Sequence, residues 1–326
     1  YTEEEKDSMI ALANDYLIGP MQPVPHFLHY FQALQAFAET ETDKQVYEEW
    51  QEGLRMMVAN EDMYFKITSA LLKNTALWLT EYKLMERNGV FWRADTAETH
   101  FAYEQDTLYL DLQTSRLTGH FHGDSMVMYD VMGRYNPGVY RWHGQEGRVS
   151  WQKLGVKPDS VYVELGRHTI NLKRDLISDK QTKLHHKGLL QEPIEGSFEH
   201  MAIDKAKNPR YPQFRSYKAN LELRNVYPGV DFRGGVFLRG KHFFGMGRNE
   251  ELQRLTFHRN ARETLKAKAT TVVFGEDKME AEPAEISVYF GQDSLFHPKV
   301  NLRYYPDTQR VQLINPTRGK YRYLFS

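Results

Sequence analysis

The stretch Thr75–Ala94, "TALWLTEYKLMERNGVFWRA", decides how the chain is read. Trp78, Thr80, Tyr82 and Leu84 stand at every second position. Asn88-Gly89 is the dipeptide that most often turns a two-residue β-hairpin, because both residues tolerate positive φ. Upstream, apolar residues recur every three or four positions; downstream, they alternate. The sequence therefore predicts a switch from helix to strand near Asn74, with a helical array over 1–73 and a β-rich layered domain over 74–326.

On the helical side, Thr2 and Glu5 have capping-box spacing, and Met9, Leu12, Ala13 and Tyr16 follow on one stripe until Gly19-Pro20. Phe27, Phe31, Leu34 and Phe37 predict a second helix. A third begins near Thr42-Asp43 with Val46, Trp50 and Leu54 inward, and a fourth runs from Met63 to Leu72. Short connections predict antiparallel neighbours. Acidic residues such as Glu48, Glu49, Glu61 and Asp62 predict a solvated outer face.

Beyond Asn74, short alternating runs such as "TLYLDLQ", "MVMYDVM", "VYVELGRHTINL" and "EISVYF" are punctuated by Gly, Pro, Asp and Asn. One irregular stretch, 197–214, has room for a short helix over His200–Lys205 before Pro209. Four runs open alike, at Asp106-Thr107, Asp124-Ser125, Asp159-Ser160 and Asp293-Ser294. Asp, Ser and Thr side chains bond downstream backbone N–H groups, so these pairs mark turns that launch strands. The expected class is α+β: N-terminal antiparallel helices, then a large antiparallel β region built as stacked layers or a sandwich with imperfect repeats.

Composition narrows the roles. A chain of 326 residues, 41% hydrophobic and 13% aromatic, can bury more than one core. With 42 Lys and Arg against 43 Asp and Glu, the net charge of -1 gives no field for a phosphate backbone, so no nucleic acid is expected as partner. No run reaches the ~20 apolar residues that span a bilayer. The absence of cysteine excludes disulfides, thiolate metal sites and cysteine nucleophiles, and suits an oxidising envelope space. The chain opens on Tyr1 and closes on "YRYLFS", and is expected to be a fragment of a longer one.

One compact set of metal-ligand types is "GHFHGD" at 119–124. Alternation along a strand places His120, His122 and Asp124 on one face, a donor set that suits a divalent metal. The same letters start the metallo-β-lactamase pattern, but that pattern continues with His where this chain has Ser125, and it needs a βα fold. The expected structure is a strand ending in a turn at Gly123-Asp124-Ser125, with no metal there and no cofactor in the chain. G-x-S-x-G, P-loop and H-E-x-x-H motifs are absent, so no catalytic residue is nominated. Aromatic residues offer more. Tyr140, Trp142, His143 and Trp151, around a glycine-rich turn, are the candidate ligand-binding residues, since such rings stack on sugars or anchor protein partners. Filling a β core is their competing role.

The segments "RWHGQEGRVSWQKLGVKPDSVYVELGRHTINL" and "DSLFHPKVNLRYYPDTQRVQLI" resemble a group of very large envelope proteins of Bacteroidota, which have helical N-terminal parts followed by long β-rich tracts. Trp142, Gly144, Gly147, Val149, Trp151, Asp159, Ser160, Tyr162, Glu164 and Leu165, then Asp293, Ser294, His297, Pro298 and Tyr304, carry the likeness. It implies a cell-envelope location, periplasmic or surface-exposed, and carries over no catalytic residue. The strand starts are also similar to stacked β-jellyroll domains that shuttle lipopolysaccharide, though Lys and Arg within "LKAKATT" argue against a continuous apolar channel. The leading reading is a non-enzymatic structural or interaction module of a larger envelope or surface protein, with a glycan or another envelope protein as partner. Two alternatives stay open. One is a glycan-binding or glycan-degrading β scaffold, with Trp142 and Trp151 as sugar platforms and Glu146 or Glu164 as carboxylates; the other is a periplasmic lipid or lipopolysaccharide carrier.

Overall fold

A computed structural model describes residues 2–19, 21–60, 65–95, 98–157, 159–174, 176–202, 207, 209–247, 251–316 and 322–325. The chain is α+β, with helices at the N-terminus followed by antiparallel strands. It forms two compact units: Tyr1–Val149 with Leu165–Ser178, and Ser150–Glu164 with Asp179–Ser326. The first unit thus holds the helices and the first strands together, on both sides of the change of pattern that the sequence places at 73–74. Among the described residues no helix is long and apolar enough to cross a membrane.

Helix α1 (Glu3–Ile18) opens with the expected capping box: Glu5 N donates to the Thr2 hydroxyl, and Thr2 N donates to the Glu5 carboxylate. α2 (Leu28–Glu39) and α3 (Lys44–Ala59, capped by Asp43) bury the predicted Leu34 and Phe37, and Val46, Trp50 and Leu54. Tyr30 of α2 stacks on Trp50 of α3 at 5.9 Å. α4 (Phe65–Glu81) corrects the sequence reading, because it continues through "TALWLT" instead of stopping at Leu72. Leu71, Leu72, Thr75, Trp78 and Leu79 are buried, which is a helical period. The Thr75 and Thr80 hydroxyls, polar groups that also fit a strand, donate to the carbonyls of Leu71 (3.0 Å) and Ala76 (2.9 Å). The helix ends where Tyr82 turns to φ 53°, its N–H still bonded to the Trp78 carbonyl. Met63, Glu61 and Asp62 lie outside the described residues.

Strands β1 (Lys83–Arg87) and β2 (Val90–Ala94) close around Asn88-Gly89, whose φ values of 51° and 75° are those the dipeptide was expected to supply. β3 (Glu98–Glu104), β4 (Thr107–Phe121) and β5 (Asp124–Asn136) follow. β4 pairs with β2 and β3 along one edge and with β5 along the other. Glu49 of α3 accepts a bond from Phe101 N at 2.9 Å, so the helix covers part of the outer edge of β3. Gly53 brings α3 close to β4, where any Cβ would overlap Leu108. β6 (Arg141–Ser150), β7 (Val161–Leu165), β8 (His168–Asn171) and β9 (Leu176–His186) come next, β6 pairing with β8 and β7 with β9.

The second unit continues with β10 (Ile194–Met201), β11 (Gln213–Ser216), β12 (Leu221–Tyr227), β13 (Val230–Gly234), β14 (Val236–Arg239) and β15 (His242–Met246). Then come β16 (Gln253–Arg259), β17 (Arg262–Ala269), β18 (Thr271–Phe274), β19 (Met279–Phe290), β20 (Asp293–Tyr305), β21 (Arg310–Ile314) and β22 (Arg322–Phe325). His200 and Met201 lie in β10, not in the expected short helix; 203–206 of that expectation fall outside the described residues. Asp106 and Asp159 stand in turns just before β4 and β7, while Asp124 and Asp293 are the first residues of β5 and β20.

Successive strands here divide between two arms of one hydrogen-bonded sheet. β13 pairs with β12 and β16, whereas β14, which resumes after Gly235, pairs with β11 and β15. β17 pairs with β16, whereas β18, which resumes after Thr270, pairs with β15. Both then meet β19, which gives its first residues to β18 and its later ones to β17. Pro283 sits at the irregularity between Ala281 and Ala284 of β19, where no ladder N–H is required. At the bend, Gln253 accepts from Gly235 N (2.9 Å) and donates to the Glu251 carbonyl (2.8 Å), so the interrupted ladder leaves these groups paired. Phe232, Phe243 and Phe274 fill the core beneath, with ring centroids 5.1 Å (Phe232 to Phe274) and 5.6 Å (Phe243 to Phe274) apart.

Candidate functional site

The residues singled out from sequence are spread over both units. Trp142 is fully buried in the first unit, its Nε1 donating to His168 Nε2 at 3.3 Å while His168 Nδ1 donates to the Gly166 carbonyl at 2.9 Å. Trp151 is buried in the second unit beside Phe198 and His200, at 6.2 and 6.5 Å. Neither covered indole presents a face to a sugar ring. Tyr140 and His143 are half-buried. Lys173 Nζ lies 3.9 Å from the Tyr140 ring centroid, and His143 Nδ1 is 3.4 Å from Thr169 Oγ1. Burial first, then Arg141 and Arg134, holds the His143 pKa below its ordinary value. Glu146 is exposed, whereas Glu164 pairs with His185 at 3.0 Å.

The "GHFHGD" stretch forms the end of β4 and the start of β5. His120 is paired with Ser125 and Phe121 with Asp124, so the turn is His122-Gly123, one position earlier than expected, with Gly123 at φ 80°. The His120 ring stacks on Phe91 at 4.4 Å, and burial, with Arg93, lowers its pKa. His122 turns towards Gly89. Among the described residues no three His, Asp or Glu side chains converge as a metal-ligand group.

A different group emerges from strand register. Phe232, Leu255, Ala267 and Ile286 face the core, so their neighbours on β13, β16, β17 and β19 face outward. Arg233 is opposite Arg254, Arg254 opposite Lys268, and Lys268 opposite Glu285; Glu222 of β12 stands opposite Arg233. Three cations therefore lie in one line across adjacent strands, closed at each end by a carboxylate. At ~4.8 Å per strand the three span about 10 Å. A second line runs Thr256, Lys266, Ser287 and Phe296. These residues, with Tyr289, line an open groove of about 390 Å³.

Charge in the groove is unevenly paired. Arg233 lies 3.5 Å from Glu222, and Lys266 pairs with Glu263. Glu263 holds the Lys266 pKa above its ordinary value, while burial and Arg254 work in the opposite direction. Among the described residues, Arg254 and Lys268 have no ion pair, although like charges directly opposite on neighbouring strands destabilise a sheet. Lys266 Nζ is 5.6 Å from the Tyr289 ring centroid, and Phe296 is 61% exposed. The neighbouring His258 is engaged by Asp231 at 3.0 Å. The arrangement offers cationic donors, the hydroxyls of Thr256 and Ser287 and an open ring: equipment for holding an anion. Compared with known proteins, no family model, no curated sequence and no solved structure matches the chain.

Proposed function

We propose that the chain is a non-enzymatic interaction module of a larger cell-envelope or surface protein, and that the outward face of β13, β16, β17, β19 and β20 meets an anionic partner. The observation that carries this reading is the line Arg233, Arg254 and Lys268 in direct register. Each opposed like-charge pair costs the sheet roughly 0.2–1 kcal/mol, and an anion seated between the side chains removes that cost while gaining charge-assisted hydrogen bonds. Because the cations stand on paired strands, little backbone order has to be created on binding. The envelope location is supported by the absence of cysteine and by the likeness of the two quoted segments. A lipid carrier fits this face less well, since a groove lined by Arg233, Arg254, Lys266 and Lys268 is unsuited to acyl chains.

Titration calorimetry with anionic and neutral polymers of matched length tests the reading. Anionic polymers should bind, more weakly as salt rises, and the Arg254→Glu, Lys268→Glu double variant should not bind them. Unchanged binding by the double variant, or turnover of the bound polymer, would overturn it.

A further inference from the structure

We infer that the anionic partner is an acidic glycan, a chain of sugar rings bearing carboxylate or sulfate groups, with Phe296 as its ring platform and Arg254 and Lys268 as its anion clamp. This rests on the interaction reading above and adds the chemistry of the ligand. Three features of the groove select it.

The first is the second registered line. Lys266, Ser287 and Phe296 stand on three neighbouring paired strands, β17, β19 and β20, so an ammonium and an open apolar ring are separated by two strand spacings, about 10 Å. A small inorganic anion reaches only one of them. An acidic disaccharide reaches both, laying the C–H face of one ring on Phe296 and the anionic group of the next near Lys266. Phe296 is 61% exposed and Leu295 beside it 56%, so the ring lies open to a ligand that covers it.

The second feature is charge density. Glu222 and Glu285 close the cationic line and Glu263 pairs with Lys266, so acidic groups frame the groove. Duplex DNA carries one charge per ~1.7 Å and would bring phosphates against those carboxylates. A glycan with one anion per sugar, or per two sugars, places its charges at the interval of the strands and passes uncharged ring between them.

The third is donor and acceptor chemistry. Glu285 lines the groove as a carboxylate acceptor, and Thr256 and Ser287 both donate and accept. Sugar hydroxyls use all three groups. Phosphodiester and sulfate oxygens have no proton to give Glu285, and the ionised side chains of an acidic peptide offer it none either.

The test uses the whole chain and four probes: a uronate hexasaccharide, its carboxyl-reduced neutral counterpart, poly-glutamate, and a single-stranded oligonucleotide. The uronate should bind, and carboxyl reduction should weaken it roughly tenfold or more. Arg254→Gln with Lys268→Gln should abolish uronate binding. Phe296→Ala should weaken the uronate about fivefold and leave any poly-glutamate binding unchanged, since only a ring ligand uses the platform. All substituted side chains face outward on paired strands, and circular dichroism of each variant checks that the fold is kept. If poly-glutamate or the oligonucleotide binds as tightly as the uronate, or Phe296→Ala has no effect, the glycan assignment falls while the anionic interaction face stands. If none of the anions binds, both fall.

Discussion

In the first unit Trp142 lies against His168; in the second Trp151 lies against His200. The residue types are the same and all four side chains are buried. Their hydrogen bonding is opposite. The His168 ring accepts from Trp142 at one nitrogen and donates to the Gly166 carbonyl at the other, which fixes a neutral tautomer. Around His200, among the described residues, neither ring nitrogen has a partner, and neither does Trp151 Nε1. One pair strengthens its unit through a short polar chain. The other carries the desolvation cost of three polar groups. A buried tryptophan beside a buried histidine is thus not a unit of stability in itself; the sign depends on whether the nitrogens are met.

The largest effect that would break this comparison is in the satisfied pair. His168→Leu should destabilise the protein by about 3 kcal/mol, because it leaves Trp142 Nε1 buried without a partner and removes the bond to the Gly166 carbonyl; urea unfolding near neutral pH measures it. A cost no greater than that of His200→Leu would erase the distinction.

Next is acid sensitivity. Burial lowers the His200 pKa to about 3, well below an ordinary histidine. The folded state therefore requires the neutral ring, so this contribution is complete above the unfolded pKa of about 6.5 and is lost as pH falls from there towards 3. Between pH 7 and pH 5 the loss should be about 2 kcal/mol, and His200→Leu should abolish that part of the slope. Parallel slopes in the two proteins would show that the folded His200 ring protonates as readily as the unfolded one, through a partner or solvent that reaches it.

Smaller still, His200→Leu at pH 7 should be neutral or stabilising by about 1 kcal/mol, since it removes polar atoms that make no bond. The finest discrimination comes from the indoles. Trp142→Phe should cost about 1 kcal/mol more than Trp151→Phe, because the cavity terms are similar and only the first substitution breaks a hydrogen bond.

Much of the fold is legible in the residues, for identifiable reasons. A capping box at Thr2 and Glu5 and a turn at Asn88-Gly89 are local chemistry, and both form as expected. The misread boundary at Leu72 is local as well: Trp78, Thr80 and Tyr82 alternate by coincidence over too few residues to separate a period of two from one of 3.6. Alternation around Trp142 and Trp151 marks which residues share a face but not which face is inside. The cationic line is hidden for a different reason. "LKAKA" and "RLTFH" each show an outward basic set, yet they are joined by Asn260-Ala261, a turn with both residues at positive φ and no glycine to announce it. Arg233 arrives from a strand that is not adjacent in sequence, and no local pattern encodes that register.

The division of strands at Gly235 and Thr270 reaches beyond geometry. β13 and β14 are consecutive lengths of one chain segment held by different arms of the sheet, and so are β17 and β18. Opening either arm pulls strands from the other, so neither has a stability of its own. The slowest amide hydrogens of the two arms should therefore exchange with solvent through one shared opening, at one free energy, and a cut at Thr270 should leave the strands of the second unit unfolded in both fragments.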